Sequence, residues 1–325
     1  MSFVKFLGIG SAIPDKVLSN ADFEEMMDTS DEWIRTRTGI SERRIAKEEH
    51  ASSDLAYEAC LKALEDASMD IDDIDGIIVG TITPDHIFPS TACVLQSRLG
   101  AKNAYAFDVS AGCSGFLYSL HVAKGMIQGG SNKNLLVVGS ETLSKIMNYD
   151  DRTTCILFGD GAGAAVLTTS DTPGIMSSCL GANGDHWELL WMPAGGSRMP
   201  PSEETVKNGS HFLQMEGREV FKEAVKALES SSLEAIRQAD IMPEDIDLLI
   251  PHQANYRIID AVRRRLELPE EKVFSNLDKY GNTSSASVPL ALDEAVKSGR
   301  LKKGDIVVFS AFGAGFTWGA SVVRW

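Results

Sequence analysis

An α/β protein built as two similar halves is what the sequence predicts, and three observations carry the prediction. Short apolar runs rich in β-branched residues alternate with helix-length amphipathic segments. The same succession of runs and turns is met twice along the chain. At 325 residues, 43% of them apolar, the chain can bury a core larger than one simple domain needs.

The runs "IDGIIVGTI" (74–82), "AYAFDV" (104–109) and "NLLVVGSE" (134–141) have the pattern of strands covered on both faces. Among them lie amphipathic segments such as "SDLAYEACLKALEDA" (53–67), with the spacing of a helix. "IDLLIPHQA" (246–254) resembles the strand at 74–82. Each follows an acidic turn, "DIDDIDG" or "PEDIDLL", that itself follows a long helix. After it each half is expected to run helix, strand, then a turn of small residues, "SAGCSG" in the first and "YGNTSSAS" in the second. A helix and a strand follow, the strands at 134–141 and 305–312. The join falls near "SDTPG" (170–174), so the expected division is 1–171 and 172–325. No low-complexity linker separates the halves, which are expected to pack as one body.

Charge and cysteine usage narrow the setting. A net charge of −15 argues against nucleic-acid binding, because phosphate contacts need a surplus of Lys and Arg. No apolar run approaches the roughly 20 residues of a bilayer span, and "MSFVKFLGIGSAIP" does not read as a signal segment, so a cytoplasmic protein without a membrane partner is expected. Cys60, Cys93, Cys113, Cys155 and Cys179 are odd in number and lack CxxC spacing, which suggests neither a disulfide framework nor a zinc site. No metal is expected.

Two glycine patterns invite a nucleotide-binding reading and fail on context. "GDGAGA" (159–164) runs into "AVLTTS", which reads as a strand where the fingerprint requires a helix, and "GIGSAI" (8–13) runs into Pro14. Both are expected to be tight turns between strands.

Cys113, in "FDVSAGCSGF" (107–116), has a position with a mechanism. Phe116, Leu120, Ala123 and Ile127 recur at helical spacing, so a buried helix is expected to begin beside the thiol and to favour its thiolate. Its small neighbours let a substrate approach and leave the Cys113 amide available as an oxyanion donor. Taken from this stretch alone, a small buried hydrophobe is an equal reading. His252 stands at the C-terminal end of an apolar strand, where α/β sheets place ligand groups. Asn282 lies in the turn that matches the cysteine turn, so a pseudo-twofold arrangement would bring Cys113, His252 and Asn282 together.

The segments "DTSDEWIRTRTGI" (28–40), "FDVSAGCSGF", "FGDGAGAAV" (158–166), "PHQANYRI" (251–258), "YGNTSSASVP" and "AFGAGFTWG" (311–319) resemble, in order and nearly end to end, the β-ketoacyl-acyl-carrier-protein synthase III family of the thiolase fold. The resemblance implies halves of βαβαβαββ pattern in a five-layered α-β-α-β-α body. It implies that Cys113 is acylated by an acyl-CoA, that His252 and Asn282 steer decarboxylation of malonyl-acyl-carrier protein, and that a Claisen condensation follows to initiate fatty acid biosynthesis. Acyl-CoA is then a substrate, and no cofactor is expected.

By the same resemblance Ala314 supplies an oxyanion N–H, from a position where the family often has glycine, and Phe312 an apolar wall. Trp33 and Arg152 hold the adenine of CoA, Arg37 a phosphate, and Thr29, Gly217, Asn255 and Arg257 follow the pantetheine channel. Phe88 and Leu143 bound the acyl pocket, Phe88 across the interface of a homodimer. Lys222, Arg257, Arg263, Arg264 and Arg265 would dock the acidic acyl-carrier protein despite the net charge. Two other readings are a related condensing enzyme of secondary metabolism and, from a different class, a Cys-His-Asn hydrolase. The primer, whether acetyl, branched or longer, is not specified by the sequence.

Overall fold

The computed structural model describes residues 3–325. Its first large sheet has the strand order Phe3–Ala12, Gly161–Ser170, Asn134–Glu141, Gly76–Gly80, Tyr105–Val109. The second runs Ile175–Ala182, Thr317–Arg324, Ile306–Gly313, Leu248–Pro251. Read in these directions the two orders match. In each order the first three strands pair antiparallel, and from the third strand onward the pairing is parallel through helical crossovers. The chain leaves the first sheet at Ser170 and enters the second at Ile175.

The strand expected in the second half between helix 256–265 and the "YGNTSSAS" turn is a correction: it is reduced to one parallel bridge, Leu249 to Val273. The reason is local. Where the first half offers "YAFDV", the second has the 3-10 turn Glu270–Lys272 and then only Val273 and Phe274 before Ser275.

Side-chain alternation sorts the layers. Ile77 and Val79 face outward with Leu136 and Val138 onto helices Ser52–Ala67 and Thr91–Leu99. Ile78 and Val137 face inward, where Phe116, Leu117, Leu120 and Ala123 of helix Gly115–Gln128 meet Val288, Ala291 and Leu292 of helix Ser287–Lys297. The inner face of the second sheet, with Ile250, Val307 and Phe309, closes that layer. Its outer face, with Leu249 and Val308, carries helices Gly217–Gln238 and Tyr256–Arg265. Five layers result, α-β-α-β-α.

The halves share a clamp. The carboxylate of Asp75 accepts from the amide of Asn134 at 2.9 Å, and that of Asp247 accepts from the amide of Ile306 at 2.8 Å. In both, an acidic turn pins the start of one central strand to the next, which is why each turn precedes a strand. The segment before helix 52–67 breaks the symmetry: Phe23 and Ile34 join the outer core of the second half. Ile34 belongs to helix Asp31–Thr38, capped by Ser30 and ended by Gly39 in the left-handed region at φ 84°. This crossing carries Trp33 and Arg37 toward the second half.

Glycines mark where backbones touch. A methyl on Gly139 would stand 2.3 Å from the carbonyl oxygen of Ser285, and one on Gly80 would stand 2.6 Å from the carbonyl carbon of Gly115. The "GIGSAI" glycines are a second correction. They lie inside strand Phe3–Ala12, not in a turn, and methyls on Gly8 and Gly10 would strike the backbone of helix 52–67 at 2.4 and 2.5 Å. "GDGAGA" likewise opens strand Gly161–Ser170, so neither pattern forms a nucleotide loop.

Gly139→Ala is expected to cost about 3 kcal/mol of stability, because the atoms its methyl would strike are the backbone of Ser285 and Ala286. Gly125→Ala, in open space on a helix, is expected to add about 0.5 kcal/mol. Urea unfolding of both variants checks the pair, and equal midpoints would refute the contact argument.

Candidate active site

Cys113 sits in the 3-10 turn Gly112–Ser114 at the entrance to helix 115–128, and it is buried. Gly112 has φ 54°, and a methyl there would meet the Ala314 amide nitrogen at 2.5 Å. A methyl on Gly313 would meet the Cys113 amide nitrogen at 2.3 Å, so the end of strand 306–313 backs the cysteine directly. Ser114 and Thr317 both donate to the Ala111 carbonyl at 2.7 Å, fastening the turn to the second sheet.

The thiol differs from expectation. Burial pushes Cys113 up to about 12, the nearby charge of Glu141 adds to the rise, and hydrogen bonding from Ser284 opposes it. Desolvation in this apolar pocket favours the thiol over the thiolate.

His252 follows strand Leu248–Pro251 and donates its amide to the Ser310 carbonyl at 2.7 Å. Its Nδ1 lies 2.6 Å from Ser287 Oγ, which also accepts the Gln253 amide at 3.4 Å. In the tautomer where Ser287 donates to Nδ1, the neutral ring carries its hydrogen on Nε2. Burial lowers His252 to about 3, so the ring is neutral at ordinary pH. Asn282 is held through its backbone, donating to Leu157 and accepting from Gly159 at 2.8 and 3.0 Å. Its Oδ1 accepts the Ser284 amide at 2.8 Å, which leaves the NH₂ group to donate elsewhere.

Cys113, His252 and Asn282 line one cavity of about 520 Å³ with Phe312. Trp33, Arg37, Gly217, Asn255 and Arg257 line the same cavity toward the surface. Arg37 and Arg152 lie over the Trp33 ring at 5.1 and 5.6 Å from its centroid. Asn255 caps its helix by accepting the Arg257 amide and donates to the Arg37 carbonyl at 3.1 Å, while Arg257 donates to the Thr36 carbonyl at 3.0 Å. Behind Cys113 a smaller chamber of about 160 Å³ is bounded by Leu143, Ala314, Trp191 and Met192.

Other sequence-predicted residues lie apart. Thr29 does not line the cavity, and its buried hydroxyl has no partner among the described residues. Phe88 is 85% exposed and touches neither chamber of its own chain. The basic cluster holds less free charge than its composition suggests. Arg263 folds back onto Asp260 and the Leu268 carbonyl, Arg264 pairs with Asp260, Arg265 with Glu229 and Lys222 with Glu219.

Sequence reasoning missed Arg218, Ser287, Ser284 and Glu141. Arg218 is exposed on the cavity rim, with no ion-pair partner among the described residues. Its signal was adjacency to Gly217. Glu141 was visible as an acid ending an apolar strand run, and the two serines as hydroxyls within the Asn282 turn.

Because the folded state holds His252 neutral, its contribution to stability is complete above the unfolded value of 6.5 and is lost as pH falls toward about 3. Between pH 7 and 5 the native protein is expected to lose about 2 kcal/mol more than His252→Gln. Urea midpoints at the two pH values measure this, and parallel losses would contradict it.

Two family models match the chain. That for 3-oxoacyl-[acyl-carrier-protein] synthase III covers residues 107–184, and that for the C-terminal part of the same synthases covers 236–325. The β-ketoacyl-[acyl-carrier-protein] synthase III of Caldanaerobacter subterraneus subsp. tengcongensis is 59% identical over 320 residues, 98% of this chain and 97% of that protein. The crystal structure of 3-oxoacyl-[acyl-carrier-protein] synthase III from Aquifex aeolicus superposes with a TM-score of 0.92 at 47% identity, covering 99% of this chain and 100% of that one. The priming β-ketosynthase of the R1128 polyketide pathway is similar at 37% identity with a TM-score of 0.93, over 99% of this chain and 96% of that one. With a match of this depth along nearly its whole length, the chain belongs to the β-ketoacyl-[acyl-carrier-protein] synthase III family.

Proposed function

We propose that this chain joins an acyl-CoA primer to malonyl-acyl-carrier protein through an acyl group held on Cys113, with His252 and Asn282 driving the decarboxylation. As a member of its family the chain is a condensing acyltransferase of fatty acid biosynthesis. The observation that carries the residue assignment is donor polarity: His252 carries its free N–H on Nε2 and Asn282 its free NH₂, on side chains that line one cavity with the Cys113 thiol.

In the first half-reaction the Cys113 sulfur bonds to the acyl carbon, and the carbon–sulfur bond to CoA breaks. In the second, the malonyl thioester oxygen accepts hydrogen bonds from His252 and Asn282 as CO₂ leaves, and the enolate carbon bonds to the acyl carbon while the acyl bond to the Cys113 sulfur breaks, the sulfur keeping the electron pair and regaining a proton from solvent. Each such donor contributes about 3 kcal/mol where negative charge develops. Phe312, buried beside Phe316 with ring centroids 4.8 Å apart, gives the malonyl carboxylate an apolar neighbour that favours its loss.

Trp33, with the guanidinium groups of Arg37 and Arg152 near its ring, suits adenine stacking and phosphate binding at the mouth, with Gly217, Asn255 and Arg257 along the channel and Arg218 on its rim. Thr29 belongs to the same mouth by family resemblance. Leu143 and Ala314 bound the chamber for the acyl chain, and Ala314 presents its amide to the Cys113 turn. Lys222, Arg257, Arg263, Arg264 and Arg265 form the docking face, on which Arg264 and Arg265 are exposed. Exposed Phe88 suits a homodimer in which it reaches the partner's acyl chamber. No cofactor is needed, and no helix among the described residues is long and apolar enough to cross a membrane. We place the protein in the cytoplasm.

Cys113→Ser is expected to abolish the acyl-enzyme seen by intact mass after incubation with acyl-CoA. His252→Ala and Asn282→Ala are expected to keep acylation measurable and to lose malonyl decarboxylation by about a hundredfold or more. Equal loss of both half-reactions would refute the division of roles. Phe88→Ala is expected to broaden the set of acyl-CoA primers accepted, in a protein that sediments as a dimer. A fully active monomer would exclude a shared chamber.

A further inference from the structure

Arg43 is the bulkiest fully buried side chain among the described residues, and among them no Asp or Glu pairs with it. It stands on strand Glu42–Ile45, none of whose residues lines either chamber of the site. A buried guanidinium without a carboxylate is costly unless its donors are met. Here they are met by two separate parts of the active site.

The first part is the cradle of Asn282. Arg43 Nε donates to the Ile156 carbonyl at 2.7 Å, and Nη2 donates to the same oxygen. One residue on, the Leu157 carbonyl accepts the Asn282 amide at 2.8 Å, and the Gly159 amide donates to the Asn282 carbonyl at 3.0 Å. Phe158, between them, forms a parallel bridge with Asn282 and lines both chambers.

Packing of the stem is a second, independent observation. A methyl on Gly159 would meet Arg43 Cβ at 3.3 Å, and one on Gly281 would meet Arg43 Cγ at 3.1 Å. The stem therefore lies against both glycines that flank the Phe158–Asn282 bridge. Gly281 holds φ 63°, and its methyl would also stand 2.8 Å from the Leu157 carbonyl oxygen, so the crossing admits only glycine.

The second part is the mouth. Arg43 Nη1 donates to Asn20 Oδ1 at 2.6 Å, and Asn20 Nδ2 donates in turn to Asp31 Oδ1 and to the Ile40 carbonyl, both at 2.8 Å. Asp31 opens helix 31–38, which carries Trp33 and Arg37, and Ile40 follows its end. A leucine could fill much of the same volume, but only a rigid planar fork meets one carbonyl twice and a distant amide at the same time.

We propose that Arg43 is a positioning residue that fixes Asn282 relative to the mouth helix, so that a pantetheine arm gripped at the mouth delivers its malonyl thioester oxygen to the Asn282 NH₂. Arg43 touches no reacting atom, and its role rests on the decarboxylation reading above.

The test compares native protein, Arg43→Lys and Arg43→Met, each also in the Asn282→Ala background. Arg43→Met is expected to slow decarboxylation of malonyl-acyl-carrier protein about thirtyfold in kcat, while acylation of Cys113 by acetyl-CoA changes by less than about threefold. Arg43→Lys keeps stem and charge but not the fork. Its rate is expected to fall between the two, and it stays informative if Arg43→Met fails to fold. Over Asn282→Ala neither substitution is expected to slow decarboxylation further, because the group it misplaces is gone. Equal loss of both half-reactions, or an undiminished loss over Asn282→Ala, would overturn the proposal. Hydrogen exchange read by mass spectrometry follows the placement without any substrate. Peptides holding the Asn282 and Gly159 amides are expected to exchange about tenfold faster in both variants, with strand 134–141 unchanged. Unchanged exchange, or faster exchange throughout the chain, would also overturn it. If native protein leaves malonyl-acyl-carrier protein intact while exchange separates as expected, the placement of Asn282 by Arg43 stands and the decarboxylation reading falls.

Discussion

The structure depends on how closely its two halves approach at the ends of their central helices. Gly80 and Gly139 leave no room for a side chain there, Gly115 leaves little, and Ser285 enters the gap, donating to the Gly80 carbonyl at 2.6 Å. A single methyl would push the helix pair apart, and with it the turns that open both helices. Cys113 lies on one of those turns, and Ser284 with Asn282 on the other. The chemical groups meet because the backbones do, and the apolar layer of Phe116, Leu117, Val288 and Leu292 below them holds the approach.

Much of this was legible in the sequence, for local reasons. The run 134–141 is a strand over the same residues, and the helix read at 53–67 begins one residue earlier. Such elements are written in hydrophobic period, which needs no knowledge of the partner. The misreadings have nonlocal causes. Gly8 and Gly10 answer to a helix some fifty residues away, and the missing ladder at Val273 to a 3-10 turn. Cys113, His252 and Asn282 could be singled out because each stands at a strand end or a helix entrance. The groups that set their protonation, Ser287 and Ser284, were hidden as ordinary serines within a turn, since a hydroxyl gains direction only from its neighbours.

The electrostatics of the molecule are divided by depth. Its net charge is −15, yet Arg37, Arg218 and Arg257 gather at the rim of the cavity. Further in, charge is managed by single buried groups held by neutral partners. Arg43, fully buried and lowered to about 10 by desolvation, gives its guanidinium to the Ile156 carbonyl and to Asn20 Oδ1, under the face of Phe23. It thereby fixes the loop whose Ile156 and Phe158 line the cavity. Asp160, also buried, is held by Ser144 and the Ala46 amide. The cavity wall is stiffened by charges that never reach it.

The matching turns, Gly112–Ser114 and Ser284–Ala286, carry a consequence for how such a molecule could arise. Position for position, Cys113 answers to Ser285 and Gly112 to Ser284. If an ancestral half once paired with its own copy, both turns were alike, and two identical nucleophiles would have faced each other across the axis. Fusion into one chain freed the copies to diverge. One turn now carries the sulfur with a permissive glycine before it, and the other carries hydroxyls that hold a buried acid. Neither descendant retains a complete site, so selection can act only on the pair, and the two lineages of substitutions are bound to a shared history.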